Sequence, residues 1–188
     1  MLVAKKQLST EKHSYSFSTA TTAAHTAAHG AQTIFVDIPL SSIQPHALNR
    51  PLRHETIQNY CTTGWGRTLD TIKPAAHPIK AVFNATKTAV AYEEIRRTHD
   101  DTDREYWERI GARWVNVSTW SGLLKVYKEF RAENPTTNII LPPWIIVDAF
   151  AGQHRVEVLR QVLDKAGLSG ELSLAVWRGS VIADGNVY

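Results

Sequence analysis

The sequence predicts an α+β fold, a small mixed sheet flanked by helices and carrying a helical insertion. Three observations support this fold class. Ile34, Val36 and Ile38 alternate with Phe35 and Asp37, as in a half-buried strand. The largely apolar segment 144–150 (WIIVDAF), predicted to be a buried strand, leads through a glycine into residues 153–166, where apolar residues recur at helical spacing. The long middle region shows the same spacing at 120–132, which indicates helices rather than further strands.

The remaining elements follow from local signals. Asn134-Pro135 ends the helix that begins near Trp120, and Gly167 supplies a stop for the helix that opens at Gln153. The other predicted elements are a short helix with Ile57, Tyr60 and Cys61 on one face, a strand at 78–83, a helix that starts near 100–103 and bears Tyr106, Trp107 and Ile110, and a last strand at 171–178.

The composition limits the class of protein. The chain has 188 residues, 43% of them hydrophobic, which is enough for a core and excludes global disorder. A single cysteine, Cys61, excludes a disulfide framework and a multi-cysteine zinc site, and we interpret it as a small core residue. No run reaches the roughly 20 apolar residues of a membrane span, and no secretory leader is visible. We therefore expect an intracellular protein, in cytoplasm or nucleus, with no membrane partner; the oligomeric state stays open.

The first 31 residues differ from the rest in composition. Residues 13–31 are mostly Ala, Ser, Thr and His, which bury little apolar surface. We predict a disordered tail at 1–31 and one domain at 32–188, with an insertion at about 84–142. An organelle-targeting peptide is a less favoured alternative, because such peptides are rich in Arg and no Arg precedes Arg50. The tail histidines match no metal-ligand spacing, and we predict no metal site built from protein side chains alone.

The turn between the buried strand and the next helix has the features of an anion site. Gly152 lets the backbone turn sharply and lets a ligand approach closely. The first turn of a helix offers N–H groups and the positive end of the helix dipole. Arg155 adds a planar cation suited to phosphate, His154 a group that moves protons near neutral pH, and Gln153 a neutral donor and acceptor. The same residues also occur as ordinary surface side chains at helix starts, so this alternative stays open.

Three segments, in this order, resemble the ParB/sulfiredoxin superfamily. They are 38–43 (IPLSSI) followed by Arg50-Pro51-Leu52, then 77–79 (HPI), and then 152–155 (GQHR). The resemblance extends over about residues 34–178, interrupted by the insertion, and it implies a ParB/sulfiredoxin-like mixed sheet. It also implies that Gly152, His154 and Arg155 bind nucleotide phosphates at the helix start, with Arg50 reaching the same pocket from the opposite loop.

The chain departs from this family at positions that decide its activity. Gln153 stands where sulfiredoxins have their catalytic cysteine, and glutamine cannot attack a sulfinyl phosphate, so we expect no sulfiredoxin activity. Gln153 also replaces the glutamate of ParB centromere proteins, and only about ten residues follow the last predicted strand, so we do not expect a partition clamp with a helix-turn-helix reader. Ala151 stands where free-serine kinases have an acid.

Three functions stay open at this point. The first, which we favour, is a ParB-like phosphate-binding domain that binds or processes nucleic acid, with nuclease-like phosphodiester chemistry in which His154 acts as acid or base. In the second, CTP or ATP with Mg²⁺ drives a switch or a small-molecule kinase, and Glu157 or Asp148 supplies the base or metal ligand. The third is a catalytically inactive binding module. An enzyme of the first two kinds would be a hydrolase or a phosphotransferase.

Charge and aromatic content bear on the first function without deciding it. The formal net charge of +3 is compatible with a polyanionic ligand but does not require one. Trp107, Trp114 and Trp120 offer rings that could stack on bases. Core packing is the interpretation that we favour for these three side chains.

Overall fold

The computed structural model of the chain describes residues 33–49, 51–62, 77–99, 103–110, 112–115 and 117–183. All of these residues fall within the unit Gln32–Tyr188. The predicted tail at 1–31 and Arg50 lie outside the described residues, and so does the region that follows the first helix, at 63–76.

A mixed β-sheet organises the described part of the chain, and the predicted α+β class is confirmed. Its strands are β1 (Ile34–Pro39), β2 (Ile43–Pro45), β3 (Ile79–Phe83), β4 (Val147–Ala151) and β5 (Val176–Ile182). Their order across the sheet is β1-β5-β3-β4-β2. Strand β5 is antiparallel to β1 and parallel to β3, whereas β4 is antiparallel to β3 and parallel to β2.

Helices connect and cover these strands. They are α1 (His54–Thr62), α2 (Ala85–Thr98), α3 (Arg104–Ile110), α4 (Trp120–Glu133) and α5 (Gln153–Lys165), with 3₁₀ turns at Leu40–Ser42, Ala112–Trp114 and Ser169–Ser173. The predictions for α1, α3, α4 and α5 are confirmed, whereas α2 is an addition. This helix lacks a continuous apolar side, and its clearest mark in the sequence is the polar residue at its start. The Asn84 side chain accepts a hydrogen bond from the Lys87 amide at 2.9 Å and caps the helix.

One face of the sheet forms the hydrophobic core. Register pairs such as Ile38 with Trp177 place large apolar side chains of neighbouring strands on this face. Three buried side chains of α5, Val156, Leu159 and Leu163, belong to the same cluster, so α5 covers the sheet from this side. Helix α1 packs beside α5 in a second cluster formed by Ile57, Cys61 and Val158. Cys61 is a buried free thiol, which confirms its predicted core role.

The helical middle region begins and ends at the same end of the sheet, and its last segment, 139–141, also bonds to Asp37 of β1. Phe83, the last residue of β3, is the register partner of Val147, the first residue of β4. Neighbouring antiparallel strands are commonly joined by a short hairpin. Here α2, α3 and α4 stand in the position of that hairpin loop, at the end of the sheet opposite Ala151. This is the geometry that an insertion between β3 and β4 would have.

The tryptophans of this region pack inward. Trp107 and Trp114 are buried, and Trp120 is half-buried with its ring 6.3 Å from that of Phe83. Trp107 and Trp144 lie edge to face at 5.9 Å. The core interpretation is confirmed, and the buried rings of Trp107 and Trp114 cannot stack on an external base.

Two predicted strand boundaries are wrong. The last strand occupies 176–182 rather than 171–178, because 169–173 form a 3₁₀ turn and Leu174 is 74% exposed. In the segment 144–150, predicted to be one buried strand, only the residues from Val147 onward join the sheet, and Phe150 is exposed. The residues before Val147 form a turn, with the Ile145 amide bonded to the Pro142 carbonyl at 3.1 Å. Both errors have one cause, because burial and alternation do not reveal which backbone groups find a partner strand.

A polar network fastens α2 to β4. The Asp148 carboxylate accepts hydrogen bonds from Lys87 Nζ and from Asn84 Nδ2, both at 2.8 Å. The Asp148 side chain is 11% exposed and that of Lys87 is 42% exposed. The Asn84 bond is therefore the more sheltered of the two, and the lysine is partly screened by solvent.

We expect Asp148→Asn to lower the free energy of unfolding by about 2 kcal/mol, because it replaces a buried carboxylate facing two donors by a weaker acceptor. Lys87→Met should lower it by less than about 1 kcal/mol, because Asn84 still satisfies the carboxylate and the lysine is half in water. Urea denaturation with an unchanged m-value measures both. Equal losses in the two variants would contradict this assignment.

Candidate phosphate-binding site

The turn from β4 into α5 is made at Gly152, as the sequence predicts, whereas the phosphate-binding role of this residue stays a prediction. Its backbone is left-handed, with φ of 91° and ψ of 4°. A Cβ atom at this position would lie 2.8 Å from Cγ2 of the buried Ile79. Any other residue at this position would be strained, both by the left-handed dihedral angles and by the contact of its Cβ atom with Ile79. The carbonyl of Gly152 accepts from the amides of Arg155 and Val156, which begins a helix of 13 residues.

The guanidinium of Arg155 returns to this turn. Its Nη1 donates to the backbone carbonyl of His77 at 3.1 Å, and its Nη2 lies beside Gly152. The same carbonyl accepts from Trp177 Nε1 at 2.9 Å, so the anchor is tied to the core. Among the described residues no carboxylate forms an ion pair with Arg155. A carbonyl positions the cation without neutralising it, and other N–H groups of the guanidinium are left for a ligand.

His154 is oriented by the loop before α1. Its Nε2 accepts a hydrogen bond from the Arg53 amide at 3.1 Å. In the neutral imidazole this contact places the proton on Nδ1, which is then a donor. We assign that tautomer from the hydrogen bond. The arrangement suits donation to an anion better than proton abstraction, because the nitrogen lone pair already has a partner.

Gln153 ties the helix start to the loop after β2. Its Oε1 accepts from Asn49 Nδ2 at 2.9 Å, and the same Nδ2 donates to the Ala149 carbonyl at 2.6 Å. These contacts assemble the Gly152 corner, which we define as Gly152, Gln153, His154, Arg155 and the carbonyl of His77. The corner thus joins two segments that are far apart in sequence, and a third, with Asn49 and Arg53, contacts it through Gln153 and His154.

Glu157 faces another part of the molecule. Its carboxylate lies 3.6 Å from the guanidinium of Arg160 and accepts from Gln161 Nε2 at 3.4 Å. Arg160 in turn donates to the carbonyls of Leu40 and Ile43. The predicted base is thus engaged in contacts that fasten α5 to the β1–β2 connection. Its catalytic role stays a prediction that these contacts do not favour.

The other candidates lie apart from the corner or outside the description. Asp148 precedes Gly152 by four strand positions, about 13 Å along β4, and is held by Lys87 and Asn84. Arg50 lies outside the described residues. Sequence reasoning missed two contributors, the Asn49 side chain and the His77 carbonyl. Asn49 could have been predicted, because it directly precedes the Arg-Pro-Leu segment. A backbone carbonyl such as that of His77 cannot be recognised from the sequence.

Two features are absent from the described ranges of the chain. No group of three or more histidine, cysteine or carboxylate side chains is placed to hold a metal ion. None of the helices in these ranges has the length and apolarity needed to cross a bilayer.

Comparisons of the chain with protein-family models, with curated proteins and with solved structures found no match. The functional assignment therefore rests on the geometry of the Gly152 corner and on the sequence.

Glycine substitutions separate the effect of the left-handed backbone at Gly152 from the effect of its close contact with Ile79. We expect Gly152→Ala to lower the free energy of unfolding by about 2–4 kcal/mol, from left-handed strain and the Ile79 contact together. Gly167→Ala, with φ of 73° and no atom near the added Cβ, should show the strain alone, about 1–2 kcal/mol. Gly170→Ala, with open space and no unusual φ, should change stability by less than about 0.5 kcal/mol.

Chemical denaturation of the three variants measures this ranking. A Gly152→Ala protein as stable as Gly170→Ala would contradict the described turn.

Proposed function

We propose that this protein is a phosphate-binding domain of ParB/sulfiredoxin type that binds nucleic acid through a backbone phosphate at the Gly152 corner. The observation that carries the proposal is the Arg155 guanidinium, held by the His77 carbonyl beside the uncapped start of α5. The guanidinium and the positive end of the α5 dipole therefore lie close together, and an oxyanion would interact favourably with both.

The element order supports the family relationship. The described chain runs strand, 3₁₀ turn, strand, helix, strand, then strand–glycine–helix and a last strand, with α2–α4 between β3 and β4. This is the order that the resemblance leads one to expect. Two of the segments that carry the resemblance lie at the corner, 77–79 at the start of β3 and 152–155 at the start of α5. Segment 38–43 runs from β1 into β2, where Ile43 pairs with Val147 at the other end of β4.

A polymer fits the corner better than a nucleoside triphosphate. A triphosphate is usually bound with Mg²⁺, which takes carboxylate oxygens and phosphates as ligands. The two carboxylates considered for that role, Glu157 and Asp148, are occupied by Arg160 and by Lys87 with Asn84. These residues do not fit a magnesium site at the corner. A phosphodiester carries one charge and needs no such ligands.

Binding has more support than cleavage. A nuclease needs a group that accepts a proton at the scissile phosphate. His154 Nε2 already accepts from the Arg53 amide, and Glu157 faces Arg160. We therefore assign His154 the role of a hydrogen-bond donor through Nδ1, and Arg155 the role of the principal phosphate ligand.

Fluorescence anisotropy with a labelled oligothymidylate tests the proposal. We expect Arg155→Gln to weaken binding about tenfold, the value of one charge-assisted contact. The slope of log affinity against log salt should fall by about 0.7, because one phosphate contact is lost on a single strand.

Arg104→Gln is the matched control. It removes the same charge from a side chain that is 86% exposed on α3, and both affinity and salt slope should stay at the wild-type value. The proposal fails if Arg155→Gln leaves both quantities unchanged. Calorimetric heat with CTP or ATP that requires Mg²⁺ would favour the nucleotide alternative instead.

A further inference from the structure

The sheet face opposite the core carries exposed aromatic side chains. Phe35 in β1 is 60% exposed and Phe150 in β4 is 39% exposed. Lys80 in β3 is exposed, and Arg178 and Ser180 in β5 are half-exposed. We call these five residues the open face. Each of them alternates along its strand with residues of the core.

Strand register sets these side chains in a row. Phe35 pairs with Ser180, and Ser180 pairs with Lys80. An irregularity between Lys80 and Ala81 leaves Phe150 beside Lys80 without a single partner on β3. At about 4.8 Å per strand, the backbones of Phe35 and Phe150 lie about 14 Å apart, with the strand that carries the lysine between them.

The cations of this face lie nearer to solvent than its carboxylates. Asp37 lies beneath Arg178, its side chain 12% exposed against 34% for the arginine, with Arg178 Nε donating to Oδ1 at 3.0 Å. This hydrogen bond raises the pKa of Arg178, so the guanidinium stays charged at every ordinary pH. At the far margin, Asp148 is covered by the more exposed Lys87 in the same way.

The open face adjoins the Gly152 corner. Phe150 precedes Gly152 by two residues, and Lys80 follows His77 by three. These short separations put the row within reach of a strand whose phosphate occupies the corner. Alternating rings and cations suit a ligand that itself alternates flat apolar groups with negative charge. A dry protein interface would instead exclude Lys80, which has no carboxylate partner among the described residues.

We propose that the open face binds the unpaired bases of a single-stranded nucleic acid, with Phe35 and Phe150 as stacking platforms and Lys80 as a phosphate contact. This inference rests on the proposed function and narrows its ligand to single strands. In a duplex the bases are already stacked and paired, so their faces are not available to these rings.

The test uses the full chain and three labelled probes: oligothymidylate, an abasic strand of equal length, and a duplex. The double variant Phe35→Leu/Phe150→Leu should bind oligothymidylate about 100-fold more weakly, because each of the two stacked bases contributes about tenfold. Its salt slope and its affinity for the abasic strand should equal those of the wild type. Leu168→Ala, at an exposed apolar residue of the same chain, is the control and should change nothing. Thermal unfolding verifies that the variants fold.

Lys80→Gln tests the electrostatic part separately. It should lower the salt slope by about 0.7 with both single-stranded probes, because a phosphate contact does not depend on a base.

The outcomes separate this inference from the proposed function. If Arg155→Gln weakens binding but the double phenylalanine variant behaves as wild type, the inference is overturned and the corner stands. Equal wild-type affinity for duplex and single strand overturns it as well. If the double variant loses affinity while Arg155→Gln does not, the open face binds and the corner does not. If no probe binds the wild type, both fail.

Discussion

The left-handed backbone at Gly152 is the constraint on which the rest of the structure depends. It brings α5 back across the sheet so that Val156, Leu159 and Leu163 close the core. The same turn sets the start of α5 against Ile79, and it lets Arg155 reach the His77 carbonyl. Core and candidate site thus share one residue, because the conformation that completes the packing also exposes the helix start.

The basic side chains fall into two groups, those that contact a carboxylate and those that do not. Lys87 and Arg178 each cover a sheltered carboxylate, and Arg160 lies beside Glu157 while it bonds two backbone carbonyls. These contacts join elements and leave little charge for a ligand. Arg155 is held by a carbonyl, which fixes its position and preserves its charge. Among the described residues Lys80 has no carboxylate partner either. A single strand running over both would meet two cations without such a partner in succession.

The sequence predicts what local chemistry decides. A glycine after a buried apolar run marked the turn at Gly152, and Gly167 marked the end of α5, where the Leu168 amide bonds to the Leu163 carbonyl. Which strands pair with each other depends on residues that are far apart in sequence. The local hydrophobic pattern therefore did not predict the bounds of β5 or the start of β4. The contacts of the corner could not be predicted for the same reason. His154 is oriented by an amide 101 residues away, and Arg155 by a carbonyl 78 residues away.

The most direct test of the central claim is a titration of ¹⁵N-labelled protein with an abasic oligonucleotide, which offers phosphates and no bases. Binding at the corner predicts that the largest amide shift changes fall on residues 152–155 and on the Nε–H of Arg155, and that salt reverses them. Changes that fall on α2–α4 instead, or a spectrum that the abasic strand leaves unaltered, would contradict the account.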